Sequence, residues 1–278
     1  MSDSLVSLVT ALGDDELVLG HRHSEWTGFA PHIEEDVAFS SIAQDEIGHA
    51  AALYSLVAKV TGDSADRIAL GRDKSDYRNA ILCERDNGDW AFTLARHWLY
   101  DHADELRLEA LEGSAHEELA ALATKIRREE RYHLLHADTW LKRIAQGPVE
   151  GRKRLADGVM KAFGPSLALF EPFELEDEAV KEGWLPLPSG ELRDRFVRFA
   201  SEQLDALGLP TDIARHAEEG AEFVASSSGD LIAGDGAEMA QGGDEDGTGG
   251  RRGRRTADFD ALWEDMTAMY RTNPGATW

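Results

Sequence analysis

Apolar residues recur every three or four positions through most of the first 145 residues, which is the spacing of one face of an α-helix. Leu5, Leu8 and Leu12 begin the first such stretch, and the turn from Gly28 to Pro31 ends it. Turns rich in glycine or proline separate the two members of each helix pair. We therefore predict two helical hairpins joined by a partly ordered polar connection over residues 63–88. The four predicted helices cover residues 5–28, 32–62, 89–111 and 116–145.

The rest of the chain is less regular. Helical spacing returns at residues 151–163, 190–207 and 258–270. Residues 226–250 are rich in glycine and aspartate and have few large apolar side chains, a composition typical of a flexible loop. The predicted organisation is a helical bundle with extra helices over 1–225, a flexible acidic, glycine-rich insertion over 226–250, and a C-terminal helix and tail over 251–278.

The charge of the chain narrows its possible partners. Among 278 residues 53 are acidic and 29 are basic, for a net charge of −24 at pH 7. This balance argues against nucleic acid or an anionic membrane surface as a partner. Only 7 of the basic residues are lysines. An acidic, lysine-poor surface suits a salt-rich, halophile-like cytoplasm, because salt screens the self-repulsion.

Three further features concern the cellular compartment. No apolar run approaches the roughly 20 residues that a membrane-spanning helix needs. The N-terminal residues lack the basic start of a signal peptide. The single cysteine, Cys83, excludes an internal disulfide and fits a reducing environment. The sequence thus predicts a soluble, cytoplasmic protein with no membrane partner.

Two Glu-x-x-His tetrads carry the candidate chemistry, one formed by Glu46 and His49 and the other by Glu130 and His133. Residues three apart on a helix share a face, so each tetrad directs a carboxylate and an imidazole at one point. One such tetrad is expected by chance in so acidic a chain. The prediction of a site therefore depends on what each tetrad faces.

The first hairpin places a second carboxylate opposite its tetrad. Glu16 precedes Pro31 by as many positions as Glu46 follows it. At about 1.5 Å per residue both carboxylates reach the same level, about 22 Å from the turn. Glu25 is the alternative acid on the first helix, but it would miss the level of Glu46 by about 14 Å. Glu16 is therefore preferred.

The second hairpin repeats this arrangement around Ser114, with Asp101 before it and Glu130 after it at nearly equal separations along the sequence. Two such hairpins predict a dinuclear metal site inside a four-helix bundle of the ferritin-like class. Four carboxylates and two imidazoles suit iron or manganese rather than structural zinc. Four negative charges also neutralise two divalent ions, which permits their burial. The predicted ligands are Glu16, Glu46, His49, Asp101, Glu130 and His133.

Other polar residues have simpler interpretations, and even the six predicted ligands could be surface acids and core histidines of a very acidic protein. Asp45 and Glu129 point about 100° away from the tetrads, which predicts a solvated or outer role. The run Arg251–Arg255 could attract an anionic group such as a nucleotide phosphate, or it could be a solvated stretch beside the acidic loop. Five histidines without a matching constellation are predicted to lie at the surface or the edge of the core: His21, His23, His97, His102 and His136.

Several segments resemble the phenylacetyl-CoA epoxidase (phenylacetic acid degradation) family of ferritin-like proteins. The resemblance rests first on SEWTGFAP at residues 24–31, IAQDEIGH at 42–49 and EERYH at 129–133. The C-terminus resembles the C-type subunit of that family, through TGGRRG at 248–253, WEDM at 263–266 and PGATW at 274–278. The resemblance covers nearly the whole chain except the acidic stretch at 226–247, which looks like an insertion.

The resemblance implies an all-α, ferritin-like four-helix bundle with additional C-terminal helices. It also implies a multisubunit oxygenase that epoxidises the aromatic ring of phenylacetyl-CoA, an acyl-CoA substrate, with O₂ and electrons from a separate reductase. In this family the homologous A-type subunit holds the di-iron site, and the C-type subunit is usually its structural partner with degraded ligands.

The complete ligand set of this chain departs from that C-type pattern. The first hypothesis is therefore an oxygenase component with an intact site for two iron ions, or for manganese. The second is a non-catalytic structural partner within the same oxygenase. A ferritin-like ferroxidase or iron-storage protein is a third, although such proteins are usually shorter bundles without a long C-terminal region.

Overall fold

A computed structural model of the chain describes residues 2–209, 247–273 and 276, and these residues contain ten α-helices and no β-strand. Short 3₁₀ turns occur at Lys74–Asp76, Leu167–Phe170 and Gly250–Arg252. The all-α prediction is therefore confirmed. The helices are α1 (Asp3–Ser24), α2 (Ile33–Thr61), α3 (Ala65–Leu70), α4 (Ile81–Glu84), α5 (Trp90–Leu111), α6 (Glu117–Ala145), α7 (Val149–Ser166), α8 (Glu176–Glu182), α9 (Ser189–Ala206) and α10 (Ala257–Thr272).

Four long helices form the bundle, with α1 packed on α2 and α5 packed on α6. Capping hydrogen bonds and glycine conformations determine where these helices begin and end. Asp89 accepts a hydrogen bond from the backbone N–H of Phe92 and begins α5, and Gly62 ends α2 in a left-handed conformation with φ of +78°. The predicted first helix was four residues too long, because α1 ends at Ser24. The backbone N–H of Gly28 instead donates to the Asp36 carboxylate and stabilises a longer turn.

The later helices cover the outside of this bundle. At the crossing of α5 and α7, Gly158 lies so close that a side-chain carbon added to it would be 3.0 Å from the carbonyl oxygen of Ala91. Only glycine permits that approach without a shift of one helix. The predicted polar connection is more ordered than expected, since it contains α3, α4 and a 3₁₀ turn, and Cys83 within it is fully buried.

The arginine run anchors the C-terminal segment inside the protein. For its buried side chains, the prediction of an anion-binding stretch and that of a solvated stretch are both wrong. The Arg251 guanidinium is buried and donates to Asp15 and to the carbonyl oxygens of Ala11 and Leu169. The Arg255 side chain is only 7% exposed and pairs with the Glu84 carboxylate at 2.6 Å. These contacts tie the segment before α10 to the bundle.

Within the predicted insertion at 226–250, residues up to 246 lie outside the described residues, so its flexibility stays a prediction. Among the helices of the described residues, none combines the length and apolar character that crossing a membrane requires.

Candidate metal centre

The four bundle helices bring all six predicted site residues into the interior. None of these side chains belongs to a residue more than 3 % exposed. Helix α1 supplies one acid, α5 supplies another, and α2 and α6 each supply a Glu-x-x-His tetrad. The interpretation of these residues as surface acids is therefore wrong. The residues are Glu16, Glu46, His49, Asp101, Glu130 and His133.

The tightest group within this set comprises Glu16, His49 and Glu130. One ligand atom from each residue lies within 4.8 Å of the others. The Nδ1 atom of His49 is 3.2 Å from Oε2 of Glu16 and 3.3 Å from Oε1 of Glu130. Two buried carboxylates and an imidazole at this separation can hold a metal ion.

Glu130 faces both tetrad histidines at once. Its Oε1 atom lies beside His49, and its Oε2 atom lies 3.0 Å from Nδ1 of His133. A carboxylate with one oxygen directed toward each of two imidazoles could hold metal together with either histidine. Glu130 therefore connects Glu16 and His49 of the first hairpin with His133 of the second.

The two remaining acids each have a histidine beside them that the sequence argument missed. Nδ1 of His23 lies 2.9 Å from Oε2 of Glu46, within hydrogen-bond distance, and Nδ1 of His97 lies 3.2 Å from Oδ2 of Asp101. Both imidazoles are fully buried, so their predicted place at the surface or core edge is wrong. Spacing offered a signal: His97 precedes Asp101 by four residues, on the same helix face.

Among the other histidines without a predicted role, His136 is also buried, and its Nε2 atom donates to Glu35 over 2.8 Å. His102 lies at the edge of the core beside Asp138, as predicted. His21 is partly exposed, which also agrees with the prediction. Two of the five predictions were thus right, and the three errors all concern histidines near the site.

Several buried atoms of the site receive no hydrogen bond from the described part of the chain. They are Oε1 of Glu46, both carboxylate oxygens of Asp101 and of Glu130, and Nδ1 of His133. Burying polar atoms without partners is costly, and burying unpaired charge is more so. A divalent cation would satisfy these oxygen and nitrogen atoms together, so the donor set fits a metal centre of oxygen-rich character.

The protonation of the metal-free site follows from its charge density. Burial raises the pKa of Glu46 and of Asp101 well above the ordinary carboxyl range, and nearby carboxylates add to this effect. Burial alone would lower the pKa of His49 and His133. Contacts with carboxylates, including Glu130, instead raise them to about 11 and about 12. Burial alone would raise the pKa of Glu130, but the two imidazolium groups hold it at about 2. Protons thus supply the positive charge that the carboxylates require.

An outer layer holds the ligand side chains in place. Nε2 of His49 donates to Glu129 over 3.1 Å, and Nε2 of His133 donates to Asp45 over 3.4 Å. Both acids are substantially exposed, in agreement with their predicted outer role. The Tyr100 hydroxyl donates to Oε1 of Glu16 over 2.8 Å. Partners of this kind fix the orientation of metal ligands.

A layer of buried carboxylates and imidazoles inside a four-helix bundle defines the ferritin-like class of dinuclear metal proteins. The chain belongs to the phenylacetic acid catabolic protein family, whose sequence model matches residues 1–228. Over 99% of its length it is 27% identical to the whole of the C-type subunit of 1,2-phenylacetyl-CoA epoxidase from Escherichia coli K12. It is also 26% identical to the A-type subunit of that epoxidase from the same organism, over 68% of this chain and 65% of that relative.

Proposed function

We propose that this chain is a component of a multisubunit phenylacetyl-CoA epoxidase and that it holds a dinuclear metal centre. One observation carries the proposal: a chain similar over its full length to one subunit of such an epoxidase also buries a complete set of four carboxylates and two imidazoles. The proposed ligands are Glu16, Glu46, His49, Asp101, Glu130 and His133. The proposed partners are a separate reductase that supplies electrons, an acyl-CoA substrate and an A-type subunit.

The residues of the proposed centre would have different roles. Glu130 would hold metal together with both His49 and His133, since its two oxygens face different histidines. His49 and His133 would each give up a proton to bind, while Asp45 and Glu129 hold the distal nitrogens. Two iron ions, the metals we favour over manganese, would supply joint reduction of O₂ when bound. The buried surroundings exclude water, which limits side reactions that would consume the electrons of the reductase without forming product.

A second candidate function, the non-catalytic structural partner, is favoured by a specific packing feature beside the site. The Phe39 ring lies 4.7 Å from Trp90 and 5.1 Å from His23, and the Trp26 ring lies 4.8 Å from Trp90. His23 in turn contacts Glu46. Aromatic side chains of the chain itself therefore occupy space next to the proposed ligands. A phenylacetyl group would have to displace them to approach the centre from this side.

The metal centre is tested by metal analysis of the chain purified alone from iron-replete medium. We expect two iron ions per chain. The double variant Glu46→Ala/His49→Ala should lose them while its circular dichroism spectrum stays helical. A well-folded wild-type chain without metal would overturn the proposed centre and leave the structural partner as the better account.

Catalysis by this chain is tested separately, in the assembly with a reductase and an A-type subunit. Glu130→Ala should remove the proposed ligand that faces both histidines of this chain and leave the partner's residues untouched. If this centre oxidises the ring, epoxide formation should fall by at least 100-fold with the variant, a size typical of lost transition-state stabilisation. An unchanged rate with a fully assembled complex would assign the chain the structural role.

A further inference from the structure

A chain of buried polar groups leads from Asp101 to the start of α2. Nδ1 of His97 lies 3.2 Å from Oδ2 of Asp101. On the other side of the same ring, Nε2 of His97 lies 3.3 Å from Nδ1 of His136. Nε2 of His136 lies 2.8 Å from Oε2 of Glu35. All of these side chains, including that of Glu35 near the beginning of α2, are buried.

The Glu35 carboxylate, at the far end of these polar groups, determines which ring nitrogens of the two histidines carry protons. Glu35 accepts, so His136 must donate from Nε2, and its Nδ1 atom is then the acceptor of a neutral ring. His97 consequently donates from Nε2 to His136. The Nδ1 atom of His97 is left with a lone pair directed toward Asp101.

That lone pair receives no hydrogen bond from the described residues. Although Nδ1 of His97 is 3.2 Å from Oδ2 of Asp101, neither atom forms a hydrogen bond with any described residue. Both atoms are buried, and two facing acceptors repel unless a cation or a proton lies between them. The His97 ring is also 6.5 Å from that of His133, a predicted ligand on the facing helix. The environment is therefore that of a ligand nitrogen.

We propose that His97 is a seventh ligand of the dinuclear centre, binding through Nδ1 beside Asp101, with His136 and Glu35 as its positioning residues. This inference rests on the metal centre of the proposed function. Metal-bound histidines commonly donate their other ring N–H to a carboxylate, and here the donation passes through one further imidazole. The centre would then have three imidazoles, two of them on the side of the second hairpin.

The first test is an anaerobic Fe²⁺ titration against a competing chelator. His97→Ala should bind one iron ion in place of two, or bind the second at least 10-fold more weakly, the lower end of the loss seen for residues that only support a ligand. Added imidazole should restore part of the loss by occupying the space of the deleted ring. His102→Ala, on the same helix but paired with Asp138 outside the site, is the control and should bind both ions normally. Two ions bound with wild-type affinity by a folded His97→Ala chain would overturn the inference.

A second test needs no variant and so survives a folding defect of His97→Ala. In crystals of the wild-type chain loaded with Mn²⁺, the distance from Nδ1 of His97 to a metal should be about 2.1 Å, the length of an imidazole–metal bond. Two metals bound with that nitrogen more than about 3 Å away would overturn the role of His97 and leave the centre intact. A wild-type chain that binds no metal would overturn both proposals.

Discussion

Arg251 and Asp15 lie 236 residues apart in the chain and form a buried bidentate pair, with distances of 2.9 Å from Nη1 to Oδ1 and 2.7 Å from Nη2 to Oδ2. Arg107 of α5 contacts the same carboxylate at 2.6 Å. One aspartate therefore joins three parts of the chain: α1, α5 and the segment before α10. Its neighbour in sequence is Glu16, a proposed metal ligand. Docking of the C-terminal segment thus supports the helix that presents this ligand.

Removing the arginine of this pair should destabilise the protein strongly. Arg251→Met leaves Asp15 with one cation in place of two and strips donors from buried carbonyl oxygens. We expect a loss of about 3–5 kcal/mol in the free energy of unfolding, the range for breaking a buried ion pair from one side. Urea unfolding of the metal-free chain measures it. Arg195→Met, which removes only an exposed pair with Glu191, should change stability by less than about 1 kcal/mol. Equal effects of the two variants would contradict the anchor role.

The free energy of unfolding should depend on pH through the carboxyl group of Asp15. Burial alone would raise the pKa of Asp15, but Arg251 and Arg107 hold it below its ordinary value of 3.8. A depressed pKa in the folded state stabilises the protein above the unfolded value, and that contribution is lost as the pH falls through the folded value. The gap in unfolding free energy between wild type and Asp15→Asn should therefore be large at neutral pH and shrink below pH 3.8. A gap that stays constant through this range would show that Asp15 does not titrate in this way.

Metal binding should release protons. With pKa values of about 11 and about 12, His49 and His133 both carry an extra proton at neutral pH in the metal-free chain. A metal ion binds the neutral ring, so each must lose that proton. Calorimetric Mn²⁺ titrations in two buffers with different ionisation enthalpies should therefore give different apparent heats, and affinity should increase with pH. Identical heats in both buffers would show that the two imidazoles are already neutral.

The crossing of α5 and α7 should be intolerant of any side chain at Gly158. In Gly158→Ala the new carbon would lie 3.0 Å from a carbonyl oxygen of α5, and relief requires the helices to separate. We expect a loss of about 1–3 kcal/mol in the free energy of unfolding, as for other overpacked sites. Gly48→Ala is the matched control within α2, since its added carbon has no neighbour within 4 Å. That variant should gain about 0.5–1 kcal/mol from helix propensity. A stable Gly158→Ala chain would indicate a looser crossing.

The sequence by itself determined the four bundle helices and the six candidate ligands. Helix boundaries follow from apolar spacing and local caps such as Asp89, and these signals act over a few residues. The ligand set follows from nearly equal distances to the two turns, because rise per residue is constant along a helix. Both inferences use only the pairing of helices within each hairpin, and neither requires knowing how the two hairpins pack against each other.

Only the tertiary structure decided the surroundings of those ligands. Whether His23 and His97 face the interior depends on how α1 and α5 are rotated against the other helices, which local spacing does not set uniquely. The partner of Arg251 lies 236 residues away, and a buried arginine looks like a solvated one in sequence because the difference is made entirely by long-range packing. Distant segments meet only when the core closes, and their pairing is therefore a property of the folded chain.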